Sequence, residues 1–373
     1  MARWFPSRSV GLVGLAALLA VTWQATGIVT TGAGGDLTAA QLAAGADHDC
    51  VVPGGGTPTV AWSTLRNPVI SYPHAAAKDE AIVWADGLWH MLFSYVVDDP
   101  AAPGGVRWDV ATATSTDLVH WSPPDPWPTQ PGTLGVASPD VVRDPAGGFV
   151  VTYQSNPEAS GQDKLYYRTS TDLTHFSAPH PLARRLAPSP QDRQIDGAFA
   201  FTGHGLILAY KASTGTGPQR FVIAWSPNGS PGGPWRTVGE PDISLYGSTV
   251  ENYELLSAAG RWRLVATSDN LDQPWIYDLD GNPADPSSWL HWSGGRELDV
   301  PSEPWDSGTG VSSVDFEAAN SAFLCDARST TGYYYLLYAG SSELTQFDGW
   351  GHAEVGVARS SDLLHWQVPP AAG

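Results

Sequence analysis

Charge and sulfur are scarce in this chain. Of its 373 residues, 19 are Lys or Arg, 38 are Asp or Glu, and Cys and Met contribute two each. With charged residues at 15%, the Leu-, Glu- and Lys-rich runs that make long amphipathic helices are missing, which argues against a helical bundle. The shortage of basic residues leaves a formal net charge of −19, so phosphate backbones would be repelled and nucleic acid is not an expected partner. The ten His show no metal-ligand spacing such as His-Glu-x-x-His, and no Gly-rich phosphate loop of specific form occurs. The apolar run Val10–Val21 is too short to span a bilayer comfortably; Arg3 and Arg8 precede it and small residues follow. It reads as a signal peptide over residues 1–32, with an uncleaved N-terminal anchor as the alternative. Either places the folded part outside the cytoplasm, with no stable membrane insertion once the signal is removed. In that oxidising setting the two cysteines, Cys50 and Cys325, are expected to form one disulfide.

What the chain has in quantity is 40 Gly, 31 Pro and 17 Trp. Gly and Pro supply tight turns and aromatics suit half-buried pleated surfaces, so many short strands are expected. Internal repetition organises them. The pattern Ser-x-Asp-Leu-x-x-Trp/Phe occurs at Ser115–Trp121, Ser170–Phe176 and Ser360–Trp366, each after an alternating strand. Degenerate versions end at Trp235 and Trp292. Upstream of each lies a hairpin of alternating apolar residues turning at Gly87, Gly147, Gly205, Gly260 and Gly332. Each unit then holds about four strands. The expected fold is all-β: a five-bladed β-propeller over residues 67–368, with four-stranded antiparallel blades around a central channel. Residues 33–66 are an N-terminal linker segment. A β-sandwich, the main rival, would not explain five hairpin-plus-motif units in register. The Ser and Asp of the motif are read as turn caps, and its aromatic as packing between blades. Arg143-Asp144-Pro145 is likewise read as a hairpin turn.

An acidic residue recurs where the first strand of each unit begins: Asp79, Asp140, Asp196, Glu251 and Glu317. Innermost strands line a propeller's channel, so five carboxyls should ring one mouth of it. Like charges so crowded raise one another's pKa values, which separates a proton donor from a proton acceptor. Glycoside hydrolysis uses that asymmetry, one carboxyl protonating the leaving oxygen while another activates water or attacks. Backbone capping or a structural cation are the competing uses. Trp62, Trp84, Trp89, Trp275, Trp305 and Trp350 lie outside the repeat aromatics, and indole faces could stack on sugars there. Trp275 is the candidate taken forward, with core packing as the alternative.

The repeats and acidic strand starts resemble the five-bladed hydrolases of glycoside hydrolase families 43 and 62. Lys78-Asp79 resembles their first-blade motif, Ile195-Asp196 the third-blade motif and Glu251 with its hairpin the fourth-blade motif. Ala137-Ser138-Pro139-Asp140 resembles a second-blade segment. The resemblance implies Asp79 as general base, Asp196 as the residue that orients it, and Glu251 as general acid, with Glu317 a rival for the acid. Asp140, Glu317 and Trp275 are then candidate substrate contacts. It implies an inverting hydrolase of arabinose- or xylose-containing oligo- or polysaccharides. The alternatives are a retaining fructan hydrolase, a phosphorylase or a non-catalytic sugar-binding propeller. A secreted monomer is expected. No cofactor is expected to be required, although a structural calcium in the channel is implied by the resemblance alone.

Overall fold

The computed structural model describes residues 50–370 except 53, 183, 216, 242, 244–249, 259, 269–273, 307–319 and 343–351. Its strands form five separate antiparallel sheets. The first holds β1 (Ala75–Ala85), β2 (Leu88–Asp98), β3 (Val106–Ser115) and β4 (Asp125–Pro126), in that order. The second holds β5 (Val136–Arg143), β6 (Phe149–Ser155), β7 (Leu165–Ser170) and β8 (His180–Pro181). The third holds β9 (Asp192–Thr202), β10 (Gly205–Thr214), β11 (Arg220–Ser226) and β12 (Arg236–Gly239). β13 (Val250–Ala258), β14 (Arg261–Ser268), β15 (Pro274–Leu279) and β16 (Trp292–Glu297) make the fourth. The fifth has three strands among the described residues, β17 (Asn320–Ala327), β18 (Tyr333–Gly340) and β19 (Glu354–Ser360). This is the expected five-bladed propeller, with the innermost strands β1, β5, β9, β13 and β17 adjacent around the axis.

Ring closure is local and specific. Ile70 pairs with Val355 on the edge of β19 that faces away from β18, supplying backbone partners there. The Cys50–Cys325 disulfide forms, with α-carbons 5.2 Å apart. Cys325 lies in β17, while Val51 bridges Trp84 of β1, so the bond links the last blade to the first. Residues ahead of position 67 thus hold contacts to the first and last blades. Residues 1–49, including the signal-peptide reading, lie outside the described residues.

The repeat motif is a turn cap. Ser115 Oγ accepts the Leu118 N–H at 2.9 Å, and Asp117 Oδ1 accepts those of Val119 and His120, both at 2.9 Å. Ser170/Asp172 and Ser360/Asp362 repeat the arrangement. These bonds to the ionised carboxylate draw the Asp117 pKa down to about 2, although partial burial pushes the other way. The Leu of the motif sits at positive φ: 65° at Leu118, 58° at Leu173 and 64° at Leu363. That region costs an ordinary residue about 1–2 kcal/mol. All three side chains are buried, and burying a leucine contributes about 1.5–3 kcal/mol, which offsets the cost. Arg143-Asp144-Pro145 is a hairpin turn, as expected: the Asp144 carboxylate accepts the Ala146 N–H at 2.8 Å.

Candidate active site

Every innermost strand carries a β-bulge near its start, and the bulge decides which side chain faces the channel. Pairing with the second strand breaks register between Lys78 and Ala81, Ala137 and Asp140, Glu251 and Glu254, and Asn320 and Phe323. In the third blade the break falls opposite Ala209–Lys211. At each bulge one residue is left-handed: Asp79 (φ 53°), Ser138 (50°), Asp196 (52°), Asn252 (51°) and Ser321 (54°). These five are the structurally equivalent positions, not the five acids aligned from the sequence. Asp140 lies two residues past its bulge residue and Glu251 one residue before. Glu317 lies outside the described residues.

A bulge withdraws a backbone N–H from the ladder, and the preceding blade supplies the replacement acceptor. Ser94 Oγ of β2 accepts from the Ser138 N–H (2.8 Å) and Gln154 Oε1 of β6 from the Asp196 N–H (2.8 Å). Thr267 Oγ1 of β14 accepts from the Ser321 N–H (3.1 Å). The equivalent position on β10 is Lys211, opposite Ile195. Lys211 Nζ lies 2.6 Å from Glu251 Oε2 of the next blade.

Asp79 is the hub of this ring. Its carboxylate accepts hydroxyl hydrogen bonds from Ser94 (2.7 Å), Ser138 (3.3 Å) and Ser321 (2.8 Å), and Lys78 Nζ lies 3.4 Å away. Asn252 Nδ2 donates in turn to Ser321 Oγ at 2.7 Å. Three hydroxyl donors on one carboxylate fix its orientation. Asp196 is treated differently: burial raises its pKa to about 6, with Asp79 adding to the rise while Lys211, Arg193 and Lys78 oppose it. Glu251 is the most open of the three, its side chain 26% exposed. All three line one cavity of about 370 Å³, together with Lys78, Trp108, Gln154, Asn156, Arg193, Lys211 and Gln219. That volume is in the range of a small-molecule site.

The other expected contacts fall elsewhere. Asp140 lines not the wide cavity but an adjoining void of about 40 Å³, which it shares with Asp79, Glu80, Asp196 and Glu254. Burial raises Asp140 to about 7, and Glu80 and Glu254 well above the ordinary carboxylate value. Trp275 is half-buried in β15, packed with the core between the third and fourth blades. Trp84 and Trp89 are core, and Trp305 stacks on Tyr338. The indole that does line the cavity is Trp108 of β3, which sequence reasoning missed. Lys211, Gln154 and Ser94 were missed as well. Their signal was a polar residue next to a Tyr or Phe in the second strand (Leu-Ala-Tyr-Lys211-Ala, Val-Thr-Tyr-Gln154, Leu-Phe-Ser94-Tyr). Among the described residues no three His, Cys, Asp or Glu side chains converge as metal ligands.

No known family profile matches the chain, and no curated protein matches it. Solved structures do match in shape. A glycosyl hydrolase from Bacteroides ovatus superposes with a TM-score of 0.57 at 14% identity, over 87% of this chain and 99% of that one. An α-L-arabinofuranosidase from Lactobacillus brevis gives 0.56 at 12%, over 84% and 100%. A structure from the GH130 mannoside phosphorylase family, which includes hydrolases of β-1,2 mannosidic linkages in Candida mannan, gives 0.55 at 15%, over 85% and 96%. The fold is that of the propeller glycoside hydrolases. Within this propeller fold the three carboxyls come from the first, third and fourth blades and share one cavity.

Proposed function

We propose that this chain is a glycoside hydrolase whose chemistry is carried by Asp79, Asp196 and Glu251. The observation behind it is that one cavity collects three carboxyls in three different environments. Asp79, held by three hydroxyls, is the base that takes a proton from water. Glu251, the most accessible, reaches the leaving oxygen, and Asp196 sits buried between opposing charges. Trp108 offers a face for a sugar ring, and Gln154, Asn156 and Gln219 offer amides for its hydroxyls. Arabinose- or xylose-containing glycans are the expected substrates. An extracellular site of action accords with the disulfide.

One observation favours a second assignment of the acid. The Lys211–Glu251 pair at 2.6 Å joins two charged partners, whereas Asp196 is raised to about 6. Asp196 would then be the proton donor and Glu251 its electrostatic neighbour. Leaving-group dependence separates the two. The variant that lacks the acid should lose activity severely on poor leaving groups and keep more on activated aryl glycosides. Asp79→Asn should fail on both alike. Rates for Asp79→Asn, Asp196→Asn and Glu251→Gln on a paired aryl and alkyl glycoside panel decide it. Wild-type rates in all three would refute hydrolysis at this cavity. Product stereochemistry by NMR reports inversion or retention.

A further inference from the structure

The chain has only 19 Lys and Arg in 373 residues, yet Lys78, Arg193 and Lys211 line the same cavity. All three act electrostatically on Asp196. Lys211 is paired with Glu251 and Lys78 lies by Asp79. Arg193 is arranged otherwise. Its Nε donates to Asp163 Oδ2 at 2.5 Å, and the Asp163 side chain is only 7% exposed. That buried anchor fixes the guanidinium, whose side chain remains 32% exposed. No hydrogen-bond or ion-pair partner is found for Nη1 or Nη2 among the described residues.

Two parallel donors on a fixed plane match the two oxygens of a carboxylate better than they match a hydroxyl, which both donates and accepts. Hydroxyl recognition already has the amides of Gln154, Asn156 and Gln219 in the same cavity. The three cations offset the three carboxyls of the cavity, so an anionic ligand meets less repulsion there than the net charge of −19 sets elsewhere on the chain. We propose that the cavity binds a sugar bearing a carboxylate, a uronic acid residue, with Arg193 as its specificity-determining contact. This rests on the glycosidase reading and sets a uronic acid residue of such a glycan, in place of the pentose, at the cavity. The sugar carboxylate does not react. Its binding energy instead orients the ring over Asp79 and Glu251, so it should be read in kcat/KM.

The test compares aryl glucuronides and galacturonides of both anomers with the matching glucosides and galactosides, each with and without inorganic phosphate. A uronide preference of about 100-fold or more in kcat/KM is expected, the scale set by truncating one partner of a desolvated charge pair. Arg193→Ala should bring that ratio to within about tenfold, and Arg193→Lys should fall between. Thermal melting of each variant checks folding, and the Lys variant keeps the question open if the Ala variant does not fold. Equal rates on acidic and neutral sugars would overturn the inference and leave the hydrolase intact. Phosphate-dependent release of a glycosyl phosphate from a neutral glycoside would overturn it too, assigning Arg193 to phosphate. If no glycoside turns over, calorimetric titration with glucuronate and galacturonate against glucose and galactose decides. Binding of the acids alone, lost in Arg193→Ala, upholds the anion site and refutes hydrolysis, while no binding refutes both.

Discussion

Lys211→Met tests whether the charges in the cavity set its working pH. Lys211 is almost fully buried, its side chain 3% exposed, and its ammonium lies 2.6 Å from a Glu251 oxygen. It is also the foremost charge holding the Asp196 pKa down against burial. Met keeps the length and apolar stem and removes the charge. Two unit charges about 4 Å apart interact by about 4 kcal/mol at an effective dielectric near 20. The quarter exposure of Glu251 reduces that, and opposite charges at such range commonly shift a pKa by about 1–3 units. Losing a positive neighbour makes deprotonation harder, so the acid keeps its proton to higher pH. The alkaline limb of the kcat/KM profile should therefore move up by about 1–2 pH units, or roughly 1.4–2.7 kcal/mol. Both limbs belong to the coupled group, so whole profiles should be fitted. Either acid assignment predicts an upward move. An alkaline limb that stays in place or moves down, in a variant that melts cooperatively, would refute the electrostatic reading of the cavity.

Two further outcomes concern stability. Asp140 would release its proton near pH 4 in the unfolded chain, but burial holds it until about 7 in the folded one. The stabilisation from this proton is present at low pH and lost as pH rises through 7, so Asp140→Asn should be more stable than wild type by about 2 kcal/mol at pH 8. The difference should shrink toward zero near pH 4 in urea denaturation, and a gap that does not depend on pH would count against it. Leu173 is buried at a φ of 58°, so Leu173→Gly should be more stable than Leu173→Ala by about 1 kcal/mol. Both should fall below wild type by roughly 2–5 kcal/mol, most of it cavity cost. Ala above Gly, the order of an ordinary strand or helix, would contradict the strain argument.

The propeller was legible because each blade repeats its own local chemistry. The Ser-x-Asp-Leu motif folds onto its own backbone, as Ser170 and Asp172 do, so neighbours in sequence suffice to reveal it. The Gly turns and alternating strands have the same local origin. Asp79 and Asp196 were found because bulge residues that are also acids stand out at strand starts. The alignment failed at Asp140 and Glu251, since a bulge shifts the facing residue by one or two positions without leaving a mark in hydrophobic alternation.

The sequence alone determined five units, their turns, the pairing of its only two cysteines and the strand starts where acids gather. All of these follow from interactions within a few dozen residues, or from there being no other partner. Only the tertiary structure decided which side chains share the cavity. Ser94, Gln154 and Lys211 each act on the blade that follows, and Ser321 reaches Asp79 across the closed ring. Such contacts depend on the rotation between blades and on ring closure. Neither is encoded in local periodicity, because every blade presents the same pattern whichever neighbour it meets.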